Sequence, residues 1–305
     1  MIRVAIIGFG KIAADQHLPA VASDPRFELV GVATPAGDPE VGVPWYGDAA
    51  ELLAAMDGAA DAIAICTPPG ARYALAHEAL RAGFDVLLEK PPATTLGELD
   101  ALEALARAQG RVLYTAWHSQ YAPSVAPAAA VLACSEIAML RVSWREDVRK
   151  WHPGQEWIWD AGGFGVFDTG INALSILSRI LPVPLLVRAA SLSVPDNRQA
   201  PIAATIEFVG TDWQAEFDWR FDAGEEWLIH ITTCDGRRVE LRDGGARLLV
   251  DGVEQPLDAD REYPQIYDRF ATLIKARACA VDREPLRIAA DAFMVARRES
   301  VAAFR

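Results

Sequence analysis

Cysteine is scarce in this chain, and the four present, Cys66, Cys134, Cys234 and Cys279, have no CxxC spacing. That excludes a disulfide framework and reads as reduced thiols in a cytosolic, cytoplasmic protein. No H-x-x-x-H pair or local Cys/His cluster exists, so no metal is expected; His118 and His152 stand apart as ligands. Positive charge is in deficit: 29 Lys and Arg face 42 Asp and Glu, a net charge of −13. Nucleic acid and anionic membrane both need basic surface, so neither is an expected partner. There is no apolar run of membrane length, no signal peptide ahead of the first strand, no internal repeat and no low-complexity tract. What remains is 305 residues that are 51% hydrophobic, enough for about two domains of roughly 150 residues each.

The N-terminal part alternates strand and helix. Residues 2–7 are an apolar run that reads as a central parallel strand, and residues 11–22 then turn helical. Between them lies Gly8-x-Gly10-x-x-Ala13, a dinucleotide fingerprint. Gly8 permits the tight turn, Gly10 admits a pyrophosphate to the backbone, and Ala13 packs helix on strand. The helix start, Lys11 and Ile12 after Phe9, offers free N–H groups and a partial positive charge to phosphate. Strands over 27–33, 61–65, 84–88 and 112–116 alternate with helices opening at the Asp48 and Thr95 caps and at 72–82. Leu99, Leu102 and Leu105 form a buried stripe. The pattern is that of a doubly wound parallel sheet, a Rossmann domain over residues 1–117. Strand two ends in Ala33-Thr34-Pro35, with no carboxylate to bind a ribose 2′-OH and repel a phosphate. Thr34 therefore permits NADP as well as NAD.

The strand over 84–88 stops at Glu89-Lys90-Pro91-Pro92, because proline cannot donate to a ladder. Glu89 and Lys90 thus sit at a strand's carboxyl end, where open α/β sheets place their ligands. Thr67-Pro68-Pro69 occupies the equivalent place after the strand over 61–65. Either Lys90 is an ordinary surface lysine, or its ammonium faces a substrate oxygen.

These motifs together resemble the Gfo/Idh/MocA oxidoreductase family, with its Glu-Lys-Pro signature. Three longer strings, Asp15-Gln16-His17-Leu18-Pro19, Trp151-His152-Pro153-Gly154-Gln155 and residues 165–173, resemble its aldose 1-dehydrogenase branch, which oxidises L-arabinose or D-galactose at the anomeric carbon. The resemblance implies a cofactor site of Gly8, Phe9, Gly10, Lys11, Ile12, Thr34, Thr67, Pro68, Pro69, Glu89 and Lys90. It implies sugar contacts from His118, Glu146, Trp151, His152, Asn172 and Trp227, and catalysis by Lys90, Asp168 and Asn172. His17 follows the phosphate loop and is expected only to pack.

Residues 118–305 are expected to form an α+β domain with an open, mainly antiparallel sheet whose outer face could support a homodimer. The last helix could pack back on the first domain. Leu140, Val142 and Trp144 alternate on one strand face, and Glu146 ends that face as a ligand group or a partner for Arg145, Arg149 or Lys150. Eight of nine tryptophans lie between Trp117 and Trp227, which puts an aromatic-lined sugar pocket in this half. Trp213 and Trp219 belong to an alternating antiparallel strand and need no function. Helices are expected over 263–276 and 287–303. Asp168 and Asn172, spaced i, i+4, share one face of a helix running to about residue 181; Asp168 could equally be a plain cap.

Much of the family has histidine where this chain has Asn172. Asparagine cannot shuttle a proton at neutral pH, but an anomeric hydroxyl is more acidic than an ordinary alcohol and needs a weaker base. Lys90 is expected at the anomeric oxygen, with Asp168 as alternative base or orienting group. The rival readings are a sugar- and nucleotide-sensing regulator without turnover, and a polyol or inositol dehydrogenase.

Overall fold

The computed structural model describes residues 1–305. The chain divides into two compact units, Met1–His118 with Tyr263–Arg283, and Ser119–Glu262 with Glu284–Arg305.

The first unit is built on a six-stranded, wholly parallel sheet: β1 (Ile2–Ile7), β2 (Phe27–Ala33), β3 (Trp45–Tyr46), β4 (Ala62–Ile65), β5 (Asp85–Glu89) and β6 (Leu113–Ala116). The order β3-β2-β1-β4-β5-β6 is that of dinucleotide-binding doubly wound sheets. Chain order reverses between β1 and β4, so the Gly8 and Thr67 turns lie side by side at the switch point. The central strands are apolar on both faces because both are covered; β4 is fully buried, as parallel strands require. The two-residue β3 is too short to carry a sequence pattern.

Local signals set the helix starts. Asp48 accepts from Glu51 N–H at 2.9 Å, and Thr95 and Glu98 complete a reciprocal box. On the helix Leu96–Ala108, Leu99 and Leu102 are buried, but Ala106 takes the third buried place and Leu105 is half-buried. The helix after Gly10 widens into a π turn over Ala13–His17 before Leu18–Ser23, which turns His17 fully inward. The helix Glu262–Ala276 contributes Tyr263, Ile266, Tyr267 and Phe270 to this core; Phe27 meets Tyr267 edge-on at 5.1 Å between ring centres.

The second unit carries a nine-stranded mixed sheet: β7 (Ile137–Arg145), β8 (Val187–Pro195), β9 (Ala203–Phe208), β10 (Trp213–Asp218), β11 (Glu226–Thr233), β12 (Arg238–Arg242), β13 (Arg247–Val250), β14 (Val253–Glu254) and β15 (Ala296–Val301), in the order β14-β13-β12-β11-β7-β10-β9-β8-β15. Most neighbours are antiparallel. The exceptions correct two expectations. β10 pairs antiparallel with β9 but parallel with β7. The helix expected over 287–303 is Glu284–Val295, and Ala296–Val301 instead adds a parallel edge strand beside β8. Its Ala-Arg-Arg-Glu composition favours helix locally, and pairing with β8 overrides that preference. The helix Phe167–Ile180 packs on β7 and on Glu284–Val295. Gly170 also lets it approach β10 closely: a Cβ there would lie 2.5 Å from Phe217 Cδ2.

Candidate active site

In the first unit, the fingerprint turn has the form its glycines predict. Gly8 has φ +88°, and a Cβ on it would lie 2.7 Å from Thr67 N, so only glycine fits. A Cβ on Gly10 would meet nothing within 4 Å, leaving the backbone of Phe9, Gly10, Lys11 and Ile12 open to close approach. The first N–H groups of the helix have no intrahelical acceptor. Beside them, the Thr67 hydroxyl is buried without a hydrogen-bond partner, and Pro69 opens the next helix after Pro68. Thr34 is buried at the end of β2, where its hydroxyl accepts the Ala36 N–H at 3.3 Å and its carbonyl the Trp45 indole N–H at 3.0 Å. No acid stands there. Lys11 points outward and pairs with Asp15. Open glycine backbone, unused N–H donors and an unsatisfied hydroxyl together fit a dinucleotide's phosphates.

Glu89 points inward. It is 2% exposed, and its Oε1 meets His17 Nε2 at 2.9 Å and accepts from Tyr263 Oη at 2.7 Å. Its Oε2 accepts the Lys90 N–H at 2.9 Å. Arg72, also buried, donates to the carbonyl oxygens of Glu89 (2.7 Å) and Pro91 across the cis Lys90–Pro91 peptide. His17 Nδ1 lies 2.9 Å from Tyr267 Oη. Burial disfavours charge on both partners, yet Glu89 is held down at about 2 by the His17 contact with help from His118 and Arg72. Burial likewise opposes the His17 imidazolium, but Cys66, Tyr267 and Glu89 outweigh it and raise its pKa well above the ordinary imidazole value. His118 stacks on Tyr263 at 5.8 Å. His17, Arg72, Tyr263 and Tyr267 were not expected at the site; an inward histidine in the Asp15–Pro19 string was the only local hint.

In the second unit, β7 delivers Glu146 to the buried end of its apolar face. Its Oε2 accepts the Trp227 indole N–H at 2.8 Å. The three nearby cations are engaged elsewhere: Arg145 with Glu226, Arg149 with Asp147, and Lys150 with Glu225. Trp227 lies between Trp144, stacked at 6.1 Å, and Trp151, tilted at 5.5 Å. Trp151 keeps 38% of its surface exposed. His152 follows and packs on Trp219, whose indole N–H donates to Thr169 at 2.9 Å. His152 Nε2 lies 3.7 Å from Asp168 Oδ2. Asp168 is 5% exposed and lies in the first turn of its helix, whose N-cap, Val166, makes no side-chain cap. Asn172, half-buried, follows one turn later. This unit thus gathers Glu146, Trp151, His152, Asp168, Asn172 and Trp227: an exposed indole face beside carboxylate, imidazole and amide, the mixture that binds sugar rings.

Residues 2–117 match an oxidoreductase family model with an NAD-binding Rossmann fold. Galactose 1-dehydrogenase of Pseudomonas fluorescens is 46% identical over 306 residues, covering 99% of this chain and 98% of that one. The crystal structure of a D-galactose-1-dehydrogenase protein from Rhizobium etli is 49% identical, with a TM-score of 0.93 and coverage of 100% of this chain and 98% of that one. A 3-ketoreductase from Actinomadura kijaniata, crystallised with NADP and TDP-benzene, shares the fold at 21% identity and TM-score 0.86, covering 98% of this chain and 99% of that one. Since the likeness runs through the second unit as well as the nucleotide-binding one, the chain belongs to the Gfo/Idh/MocA family of NAD-binding oxidoreductases.

Proposed function

We propose that this protein oxidises an aldopyranose, D-galactose or a stereochemical relative such as L-arabinose, at the anomeric carbon to the aldonolactone. The observation that carries this reading is the Glu146–Trp227–Trp151 and His152–Asp168 cluster, in a chain 46% identical to a galactose 1-dehydrogenase along its whole length. The nicotinamide, when bound at the Gly8–Ile12 turn with Thr34, Thr67, Pro68 and Pro69, supplies the two-electron acceptor for the C1 hydrogen. The chain's task is the hydroxyl proton and the grip on the ring. Trp151 and Trp227 cover a C–H face, while His118, Glu146 and His152 read hydroxyls. Lys90 takes the anomeric proton or stabilises the developing oxyanion. Asp168 is the second candidate base. Asn172 hydrogen-bonds the reacting hydroxyl and exchanges no proton. Glu89 serves the site through the Lys90 peptide.

The neutral end of β2 supports use of both NADP and NAD, and the outer face of the second sheet is the surface proposed for a homodimer. A panel of aldoses and polyols assayed with both cofactors tests the reading. Reduced nicotinamide should appear with D-galactose or L-arabinose and not with inositol; turnover of polyols alone, or sugar binding without turnover, contradicts it.

A further inference from the structure

The Glu89 contacts carry an inference about a residue outside the proposed reaction. We propose that His17 is a positioning residue: its contact with Glu89 fixes the Glu89–Lys90 peptide and balances the buried carboxylate's charge one residue from Lys90. This rests on the reading of Lys90 as the group that serves the anomeric hydroxyl.

The geometry is closed on every side. Both ring nitrogens of His17 are engaged, Nε2 with Glu89 at 2.9 Å and Nδ1 with Tyr267 at 2.9 Å. Nε2 must donate to a carboxylate that carries no proton, so the state of Nδ1 decides the ring's charge. Glu89 in turn accepts the Lys90 N–H, so a movement of the carboxylate moves the peptide from which the Lys90 side chain hangs. A buried carboxylate without a cation would favour the ammonium form of a neighbouring lysine and oppose its release of a proton. An imidazolium 2.9 Å away removes that bias. The charged and titratable groups facing this pair are Cys66 at the end of β4, Arg72 from Pro69–Arg81, Tyr263 and Tyr267 from Glu262–Ala276, and His118. Arg72 donates to backbone carbonyls, and the His17 ring meets the carboxylate itself at 2.9 Å. The π turn over Ala13–His17 is what aims the ring inward.

The chain has only four lysines, Lys11, Lys90, Lys150 and Lys275, and five histidines, so NMR of isotope-labelled lysine and histidine side chains follows the groups one by one without substrate. In the unmodified protein His17 should read as imidazolium at neutral pH; a neutral ring would overturn the charge balance. In His17→Gln the Lys90 titration should move up by about one pH unit, and His17→Gln/Glu89→Gln should return it to the starting value. An unmoved midpoint in His17→Gln, or a double variant no closer to the starting value, overturns the proposal. In steady-state assays, His17→Gln should lower kcat by about tenfold while KM for the cofactor changes by less than about threefold, with the acid limb of the kcat profile following Lys90. If the Lys90 midpoint moves but the kcat profile does not, the positioning role stands and the reading of Lys90 as base fails.

Discussion

The peptide that carries Lys90 is held from both sides, by Glu89 Oε2 on its N–H and by Arg72 on the flanking carbonyls. Such investment in one peptide implies that the position of its side chain matters. Lys90→Ala should lower kcat by about 10²–10⁴ without changing the circular dichroism spectrum, the range expected for loss of a proton-transfer group; near-normal turnover would contradict the assignment. Trp227, proposed above to cover the sugar, also donates to Glu146 at 2.8 Å. Trp227→Phe keeps an aromatic face and loses the donor, so KM for the sugar should rise about tenfold, the cost of one hydrogen bond to a charged group, with KM for the cofactor unchanged. Thr34 is the residue to change for cofactor choice. Thr34→Asp should lower kcat/KM for NADP by at least about tenfold and spare NAD, because a carboxylate there repels the extra phosphate; an unaltered NADP/NAD ratio would place the adenosine ribose elsewhere.

The β1–helix turn and the β5 turn are the two elements on which the first unit's chemistry depends. Gly8→Ala forces a Cβ against Thr67 at a φ of +88° and should destabilise the turn by about 1–3 kcal/mol, visible as a lower Tm and weaker cofactor binding. At the β5 end, Glu89 is held at about 2 against an ordinary 4.5. The stability it contributes is therefore present above pH 4.5 and is lost as pH falls through about 2. His17 has a raised pKa, so its contribution is full below the ordinary imidazole value and is lost as pH rises through the raised one. The pair stabilises most between those two ordinary values. Glu89→Gln should lower Tm at pH near 6, and the gap to the unmodified protein should close as the solution is acidified toward pH 2; a pH-independent gap would mean the charge pair contributes nothing. Element boundaries were legible where a pattern was local. β2 matches its expected range, 27–33, because turn residues bracket it. The strand Ala296–Val301 was not legible, since its residues favour helix and only β8 makes it a strand.

At the scale of the whole molecule, the parallel first sheet and the largely antiparallel second sheet follow from strand–helix alternation and period-two patterns, whereas the parallel pairings of β10 with β7 and of β15 with β8 do not. The cluster proposed to hold the sugar came from the family resemblance, with the tryptophan-rich stretch and the Asp168–Asn172 spacing as its local signals. The network behind Lys90 was not legible. His17 and Glu89 are 72 residues apart, and Tyr263 is 174 residues from Glu89. No local period links them, and only the fold brings a helix from the far end of the chain against β5. No helix is long and apolar enough to cross a membrane. The central claim concerns one bond, the C1–H of an aldopyranose. The most direct measurement uses D-galactose deuterated at C1, with mass spectrometry of both products. The account predicts that the deuterium leaves the sugar, which becomes the lactone, and appears in the reduced nicotinamide. Deuterium retained in an oxidised sugar would show reaction at another carbon and contradict it.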